Sequence, residues 1–327
     1  MIVVTGGAGF IGSNLLAALE SRGELVVVDH LGDGDMWRNL AKRELADVIH
    51  PYDFGDWLQG RSGDQIQAIF HMGAISSTTE TDVDSIVENN IRLSLDLFRW
   101  CASEKVRFIY ASSAATYGSG TQGFEDDDSV AALSQLQPLN AYGWSKHLVD
   151  RRLARVLREG GSLPPQCVGL KFFNVYGPNE YHKGSMRSVV HQLHPRIAAG
   201  ESAKLFRSHH KDYQDGGQLR DFIYVKDVVD VMLWMFDNPG VQGLFNVGTG
   251  QARSFADLAG AVFDALGKEK SFEFIDTPIE IRDKYQYFTQ AEMGKLRAAG
   301  YDRAFTSLED GVKNYVLEYL EREDSYC

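Results

Sequence analysis

The chain reads as an α/β protein, a doubly wound parallel sheet with a smaller C-terminal substrate-binding lobe. Three observations predict it. Short apolar, β-branched runs alternate with helical patterns through the first half. A glycine-rich turn joins the first run to the first helix. After Tyr176-Gly177-Pro178 the alternation loses its regularity.

The first strand is expected at Met1 to Val4, followed by the turn Thr5-Gly6-Gly7-Ala8-Gly9-Phe10-Ile11-Gly12. Ser13 to Ser21 reads as a helix with Leu15, Leu16 and Leu19 on one face. Glycine at 6, 9 and 12 lets backbone N–H groups approach a pyrophosphate and lets the helix pack closely on the strand. The pyrophosphate then lies at the positive end of that helix. A second strand, Glu24 to Val28, ends at Asp29, whose carboxylate suits a ribose hydroxyl. Strand, turn, helix and acid in this order predict a dinucleotide site in a Rossmann-type sheet, with Gly6, Gly9, Gly12 and Asp29 as its residues.

Further βα units follow. A buried strand at Ile66 to His71 leads into the loop Met72-Gly73-Ala74-Ile75-Ser76, then a helix from about Asp84 to Glu104 and a strand from Val106 to Ala111. Another helix spans Ala141 to Glu159, and another strand Gln166 to Phe173. Ligands on such sheets bind at the carboxyl ends of the strands, where Ser76, Ser113 and Asn174 fall. Beyond residue 176, Ser185 to Ala199 looks helical despite Pro195, and His209 to Gln218 is a polar, exposed loop. Val225 to Phe236 is an apolar helix and Leu244 to Val247 a short strand. Ser254 with Asp257, and Ser307 with Asp310, mark two helix starts. The division expected is a dinucleotide domain at 1–175 and a substrate lobe at 176–327, with segments near 220–250 returning to the first domain.

Composition narrows the class. Hydrophobic content of 44% and charged content of 24% are ordinary for a globular chain of 327 residues. A net charge of −12 argues against nucleic acid or an anionic membrane as partner. Cys101, Cys167 and Cys327 form neither a disulfide framework nor a zinc pattern. With the first strand at the start of the chain and no apolar run long enough to span a bilayer, a cytoplasmic location is expected. The acidic run Glu125 to Asp128 reads as a solvated loop.

Tyr142 and Lys146 lie four residues apart on a helix, so they share a face. Of the fourteen tyrosines, only Tyr142 has a lysine at that spacing. The neighbouring ammonium and an oxidised nicotinamide, both cationic, would favour the phenolate and make it a base. Ser113, at the end of the preceding strand, could hold the substrate oxygen. Lys183 sits in a loop after the strand carrying Asn174, able to approach from the opposite side. Two bases on opposite sides suit inversion of a carbon through an oxidised intermediate. Arg220 precedes a buried strand and suits a diphosphate, or pairs with Asp221. His191 and His194, three apart on a helix, lack a third ligand, and no metal is expected.

With these residues the chain resembles the extended short-chain dehydrogenase/reductase family over nearly its whole length. Ser112-Ser113-Ala114-Ala115-Thr116-Tyr117-Gly118, Phe173-Asn174-Val175-Tyr176-Gly177-Pro178, His182 to Met186 and Tyr285 to Gln290 narrow the likeness to epimerases of an ADP-linked heptose. The resemblance implies inversion at C6 by transient oxidation, with Tyr142 and Lys183 as acid/base residues, Lys146 as the helix lysine and Ser113 as the serine. It implies Asn174, Ser185, His191, Phe206, Arg220 and Tyr285 around the substrate. It places Phe10, Ile11, Asp29, His30, Met72, Gly73, Ala74, Ile75, Ser76, Asn89 and Val175 against the cofactor. It also implies a homo-oligomer. NADP is the expected cofactor and NAD the alternative, since Asp29 favours NAD while Arg38, Lys42 or Arg43, helped by His30, would have to meet a 2′-phosphate. A UDP-sugar 4-epimerase needs no second base. A dehydratase needs an acid/base pair where Ala114-Ala115 stand. A non-catalytic dinucleotide sensor would need no Tyr142–Lys146 pair.

Overall fold

The computed structural model describes residues 1–282 and 286–327. Its strands, in chain order, begin with β1 (Ile2–Thr5), β2 (Leu25–Val28), β3 (Asp47–Ile49), β4 (Ala68–His71), β5 (Arg107–Ser113) and β6 (Cys167–Phe172). They continue with β7 (Asn174–Tyr176), β8 (Ala203–Phe206), β9 (Leu219–Tyr224), β10 (Gly243–Val247), β11 (Ala252–Ser254) and β12 (Phe272–Ile275). Seven of them form one parallel sheet in the order β10-β6-β5-β4-β1-β2-β3. The order reverses between β1 and β4, which opens a crevice at their carboxyl ends.

β2 and most of β1 and β4, at the centre of the main sheet, are apolar because both faces are covered. Alternate residues go to opposite sides. Val4, Val27, Phe70 and Ile109 pack on Leu15, Leu16, Val228 and Met232 of the helices Phe10–Leu19 and Val225–Asp237. Val3, Val26, Ile69 and Phe108 pack on Leu97, Phe98, Val149 and Leu153 of the helices Leu93–Glu104 and Ala141–Arg158. Each fully buried side chain of this kind contributes about 1.5–3 kcal/mol.

The second half is more ordered than its sequence pattern. β7, β9 and β11 make a small sheet, and β8 pairs with β12. β10 returns to the edge of the main sheet. Arg220 to Phe222 lie within β9 rather than ahead of it. The helix expected from Ser185 starts only at Val189, after a 3-10 turn over Tyr181–Met186. The first helix starts earlier than expected, at Phe10, so that the glycine turn feeds it directly. The helix after Asp84 contains a π turn over Val87–Arg92.

The acidic run corrects the solvated-loop expectation. Glu125 and Asp127 are exposed, but Asp126 is buried and accepts from Asn246 N at 2.8 Å. Asp128 accepts from Leu244 N at 3.2 Å and from Lys295 Nζ at 2.8 Å. These are the outward N–H groups of the edge strand β10, so two of the acids close a sheet edge.

Candidate active site

Two adjoining cavities lie over the carboxyl ends of the sheet. One, of about 500 Å³, runs from the glycine turn to Lys183. The other, of about 490 Å³, reaches to Arg220 and Thr289. Ser113, Tyr142, Phe172 and Phe173 line both, so the serine and the tyrosine stand at the junction.

The glycine turn fits a dinucleotide. A Cβ on Gly12 would stand 2.1 Å from the Gly6 carbonyl oxygen, and one on Gly6, at φ +67°, would stand 2.5 Å from Gly73. Only bare backbone packs this closely. The cradle thus keeps side chains out of the place where a diphosphate would meet backbone N–H groups. Asp29 accepts from Ala8 N at 2.8 Å and His30 N at 2.8 Å, and burial raises its carboxyl to about 6 against those hydrogen bonds.

The loop after β4 is fixed by buried polar groups. Met72 N donates to the Thr5 carbonyl at 3.0 Å and Gly73 N to the Thr5 hydroxyl at 3.2 Å. The Asn90 carboxamide accepts from Ile75 N at 2.8 Å and donates to Ile75 O at 3.0 Å and to Ser145 Oγ at 3.0 Å. Ser145 Oγ in turn donates to the Tyr142 carbonyl at 2.7 Å, which ties the loop to the helix of Tyr142. His71, fully buried between Thr5 and Ser94, is held down to about 3 by that burial.

Asn140 caps the helix Ala141–Arg158 through Gly143 N at 2.8 Å and so sets the height of Tyr142. Burial raises Tyr142 above its ordinary 10, and the hydrogen bond with Ser113 works against the rise. Lys146, on the same face, is held down to about 8 by burial, with Asp150 opposing. Lys183 enters on the turn Tyr181–Met186, its Nζ 5.3 Å from the centre of the Phe10 ring. Burial lowers it too, against the charge of Glu180. Asn14 Nδ2 donates to the Pro178 carbonyl at 3.0 Å and Asn179 Nδ2 to Ser13 Oγ at 3.0 Å. These bonds hold the approach to the Lys183 turn on the first helix.

Of the expected residues, Gly6, Gly9, Phe10, Ile11, Gly12, Asp29, Met72, Gly73, Ala74, Ser76, Lys146, Val175 and Lys183 line the first cavity. Asn174 and Arg220 line the second. His30, Ile75, Asn89, Ser185, His191 and Phe206 line neither. Asn89 donates to the Ser85 carbonyl of its own helix at 2.9 Å, and its neighbour Asn90 makes the loop contacts. Ser185 lies on the exposed turn, where its carbonyl accepts from Gln192. His191 packs 5.5 Å from the Tyr181 ring and is held down to about 4 by burial. His194 binds Glu321 at 2.6 Å. Tyr285 lies outside the described residues. Arg220 donates to the carbonyls of Leu219 and Gln286. Asp221 instead accepts from the backbone of Thr249, Gly250 and Ala291.

The cations offered for a 2′-phosphate have other partners. Arg38 pairs with Asp35 at 3.2 Å, Lys42 with Asp324 at 2.8 Å and Arg43 with Glu20 at 2.8 Å. His30 instead meets His50, ring centres 4.4 Å apart, and Tyr52. Thr78 and Thr79 also line the second cavity, with no motif in the sequence to mark them, as does Thr289 from the last of the motifs that carry the resemblance.

The family model described as "Epimerase: NAD dependent epimerase/dehydratase family" matches residues 2–248. The chain is 51% identical over 329 residues to the ADP-L-glycero-D-manno-heptose-6-epimerase of Nitratidesulfovibrio vulgaris, with 100% of each covered. It is similar to the solved ADP-L-glycero-D-manno-heptose-6-epimerase of Helicobacter pylori, with a TM-score of 0.77 and 30% identity over 97% of this chain and 95% of that one. It also resembles the UDP-glucose 4-epimerase of Thermus thermophilus, solved with NAD, with a TM-score of 0.74 and 25% identity over 96% and 97% of the two chains.

Proposed function

This chain belongs to the NAD dependent epimerase/dehydratase family, and from that premise we propose that it is an ADP-heptose epimerase. It inverts C6 of the heptose in ADP-D-glycero-β-D-manno-heptose to give the L-glycero form, as part of heptose supply for lipopolysaccharide. The observation that carries this reading is the pairing of Tyr142 and Lys183. Two proton-transfer groups from separate segments line one cavity that begins at the glycine turn.

Bound in that cavity, a nicotinamide dinucleotide supplies reversible acceptance and return of hydride at C6. The chain's own residues handle the proton. Ser113, hydrogen-bonded to Tyr142, holds the sugar oxygen. Tyr142 or Lys183 takes the hydroxyl proton as C6 becomes a ketone, and the other returns a proton to the oxygen after the ketone has turned. Burial lowers Lys183 against the charge of Glu180, a shift in the direction that a base requires. Arg220 and Asn174, on the walls of the second cavity, face the nucleotide-sugar. Residues 1–175 supply most of the dinucleotide site and 176–327 the substrate lobe, and the pairing of β10 with β6 supports the return of segments near 220–250 to the first domain.

NADP is the form that the family resemblance implies. The carboxylate of Asp29 and the engagement of Arg38, Lys42 and Arg43 favour NAD.

The test of function is incubation of the pure protein with the ADP-heptose, without added reductant, following C6 stereochemistry by NMR with UDP-galactose as the parallel control. Interconversion of the heptose epimers and an unchanged galactose support the reading. Turnover of UDP-galactose alone would replace it with a 4-epimerase.

A further inference from the structure

Tyr142 and Lys146 are the first two members of a longer stripe. At the next interval of four along the same helix stands Asp150, 1% exposed, beside Lys146 at 3%. Lys171, 0% exposed, closes the group from β6. Its Nζ is 3.8 Å from Asp150 Oδ2, 2.9 Å from Thr116 Oγ1 and 4.1 Å from the centre of the Tyr117 ring. Asp150 also accepts from Ser112 Oγ at 2.7 Å and Tyr110 OH at 3.1 Å. Apolar side chains of the same volume would fill this space at less cost than three buried charges. Stability therefore does not account for the cluster. Two ammoniums and one carboxylate leave one positive charge, and of the three only Lys146 lines the cofactor cavity.

We propose that Asp150 is a positioning residue for the reaction. Shared between Lys146 and Lys171, its carboxylate keeps a single positive charge fixed beneath Tyr142, and Lys171 sets how much of that carboxylate Lys146 commands. The proposal rests on the assignment of Tyr142 and Lys146 above. The other titratable groups near Lys146 and Asp150 stand on neighbouring elements, and Asp128 shares a small cavity with Asp150 and Tyr110. His71 faces Lys146 from β4 as a neutral imidazole, and Tyr142 and His147 share its helix. Tyr110 comes from β5, and Lys171 and Cys167 from β6. Beyond Lys171 lie Tyr117, Asp126 and Lys295. Burial pulls Lys146 towards the free amine, and Asp150 is the group that opposes it.

The arrangement makes two changes act in opposite directions. Asp150→Asn removes the carboxylate and leaves two ammoniums facing each other, so Lys146 gives up its proton at lower pH. Lys171→Met removes the competitor, so Lys146 keeps its proton to higher pH. Lys171→Arg keeps the charge and restores the wild-type behaviour. A residue that merely held the helix in place would not produce opposite signs.

Competitive acylation with acetic anhydride, read by mass spectrometry on the peptide containing Lys146, titrates this amine without substrate. The midpoint is expected to fall by about one pH unit in Asp150→Asn, a tenfold change in proton affinity, and to rise in Lys171→Met. The alkaline limb of kcat moves with it while KM for the ADP-heptose stays within a few-fold. Midpoints that stay put, or move the same way in both variants, overturn the proposal. If one variant does not fold, the sign found in the other decides. A wild-type protein whose Lys146 titrates as expected but which leaves the ADP-heptose unchanged counts against the functional reading alone.

Discussion

Lys183 reaches within 5.3 Å of the centre of the Phe10 ring, on the wall of the cavity that Tyr142 lines from the helix Ala141–Arg158. The first residue of the dinucleotide helix thus meets a loop residue 173 positions later, and the cavity acquires a second proton-transfer group. Tyr142→Phe and Lys183→Met should each lower epimerisation about 10²–10⁴-fold, the usual contribution of a positioned acid or base. Bound dinucleotide, measured by its absorbance after denaturation, should stay near the wild-type level in both. Normal turnover in Lys183→Met would remove it from the mechanism and favour a single-base epimerase.

Asp29 is expected to make cofactor preference depend on pH. Its carboxyl is raised to about 6 by burial. A raised folded-state value means that its contribution to stability is full below the unfolded value and lost as pH rises through about 6. Cofactor binding runs the other way for NAD. Ribose hydroxyls donate to the ionised carboxylate, so NAD affinity should fall as pH drops through about 6. A 2′-phosphate is repelled by the same carboxylate and gains when it is protonated. His30, lowered by burial and by His50, gains its positive charge below the usual histidine range. Calorimetry with NAD and NADP from pH 7.5 to 5 should show the NADP-to-NAD affinity ratio rising, and Asp29→Asn should flatten it. A ratio that is flat in the wild type would mean that Asp29 does not face the ribose.

Gly12 tests the cradle directly. The Cβ of Gly12→Ala would sit 2.1 Å from the Gly6 carbonyl oxygen, so the helix start must shift away from the glycine turn. The expected result is loss of bound dinucleotide and about 1–3 kcal/mol of stability, the usual cost of overpacking. Retention of dinucleotide by a stable Gly12→Ala protein would show that the turn can open without harm.

Much of this was legible in the sequence where chemistry and period coincide. The glycine turn, Asp29 and the Tyr142–Lys146 spacing each combine a residue type with a fixed interval on a strand or helix. Lys183 is legible through the resemblance and through its place after Asn174, since a loop has no period. Asn89, which the resemblance places against the cofactor, stands where period alone gives little guidance. A π turn over Val87–Arg92 alters the helical register there, and Asn90 takes the loop contacts while Asn89 bonds to its own helix. Asp126 and Asp128 looked solvated because local sequence does not show that β10, more than a hundred residues later, presents an open edge. Lys171, a lone lysine in the apolar run of β6, is the mark that the buried charge cluster leaves in the sequence.

Asn90 gives the test of how the cofactor loop is held. Its carboxamide is fully buried and serves three partners, Ile75 N, Ile75 O and Ser145 Oγ. Asn90→Ala leaves them unpaired in the interior, and should cost about 1–3 kcal/mol together with much of the dinucleotide affinity. Asn90→Asp separates shape from hydrogen bonding. Its carboxylate still accepts from Ile75 N but offers no proton to Ile75 O, and it buries a charge. Burial raises such a carboxyl in the folded state, so the variant should regain stability as pH falls and the protonated acid donates again. Denaturation from pH 7.5 to 5 should therefore show Asn90→Asp gaining on Asn90→Ala. Asn89→Ala, losing one bond within its own helix, should retain near-normal affinity. If Asn89→Ala instead loses dinucleotide and Asn90→Ala keeps it, the cofactor contact belongs to Asn89, as the family resemblance implied, and the Ile75 clasp is structural only.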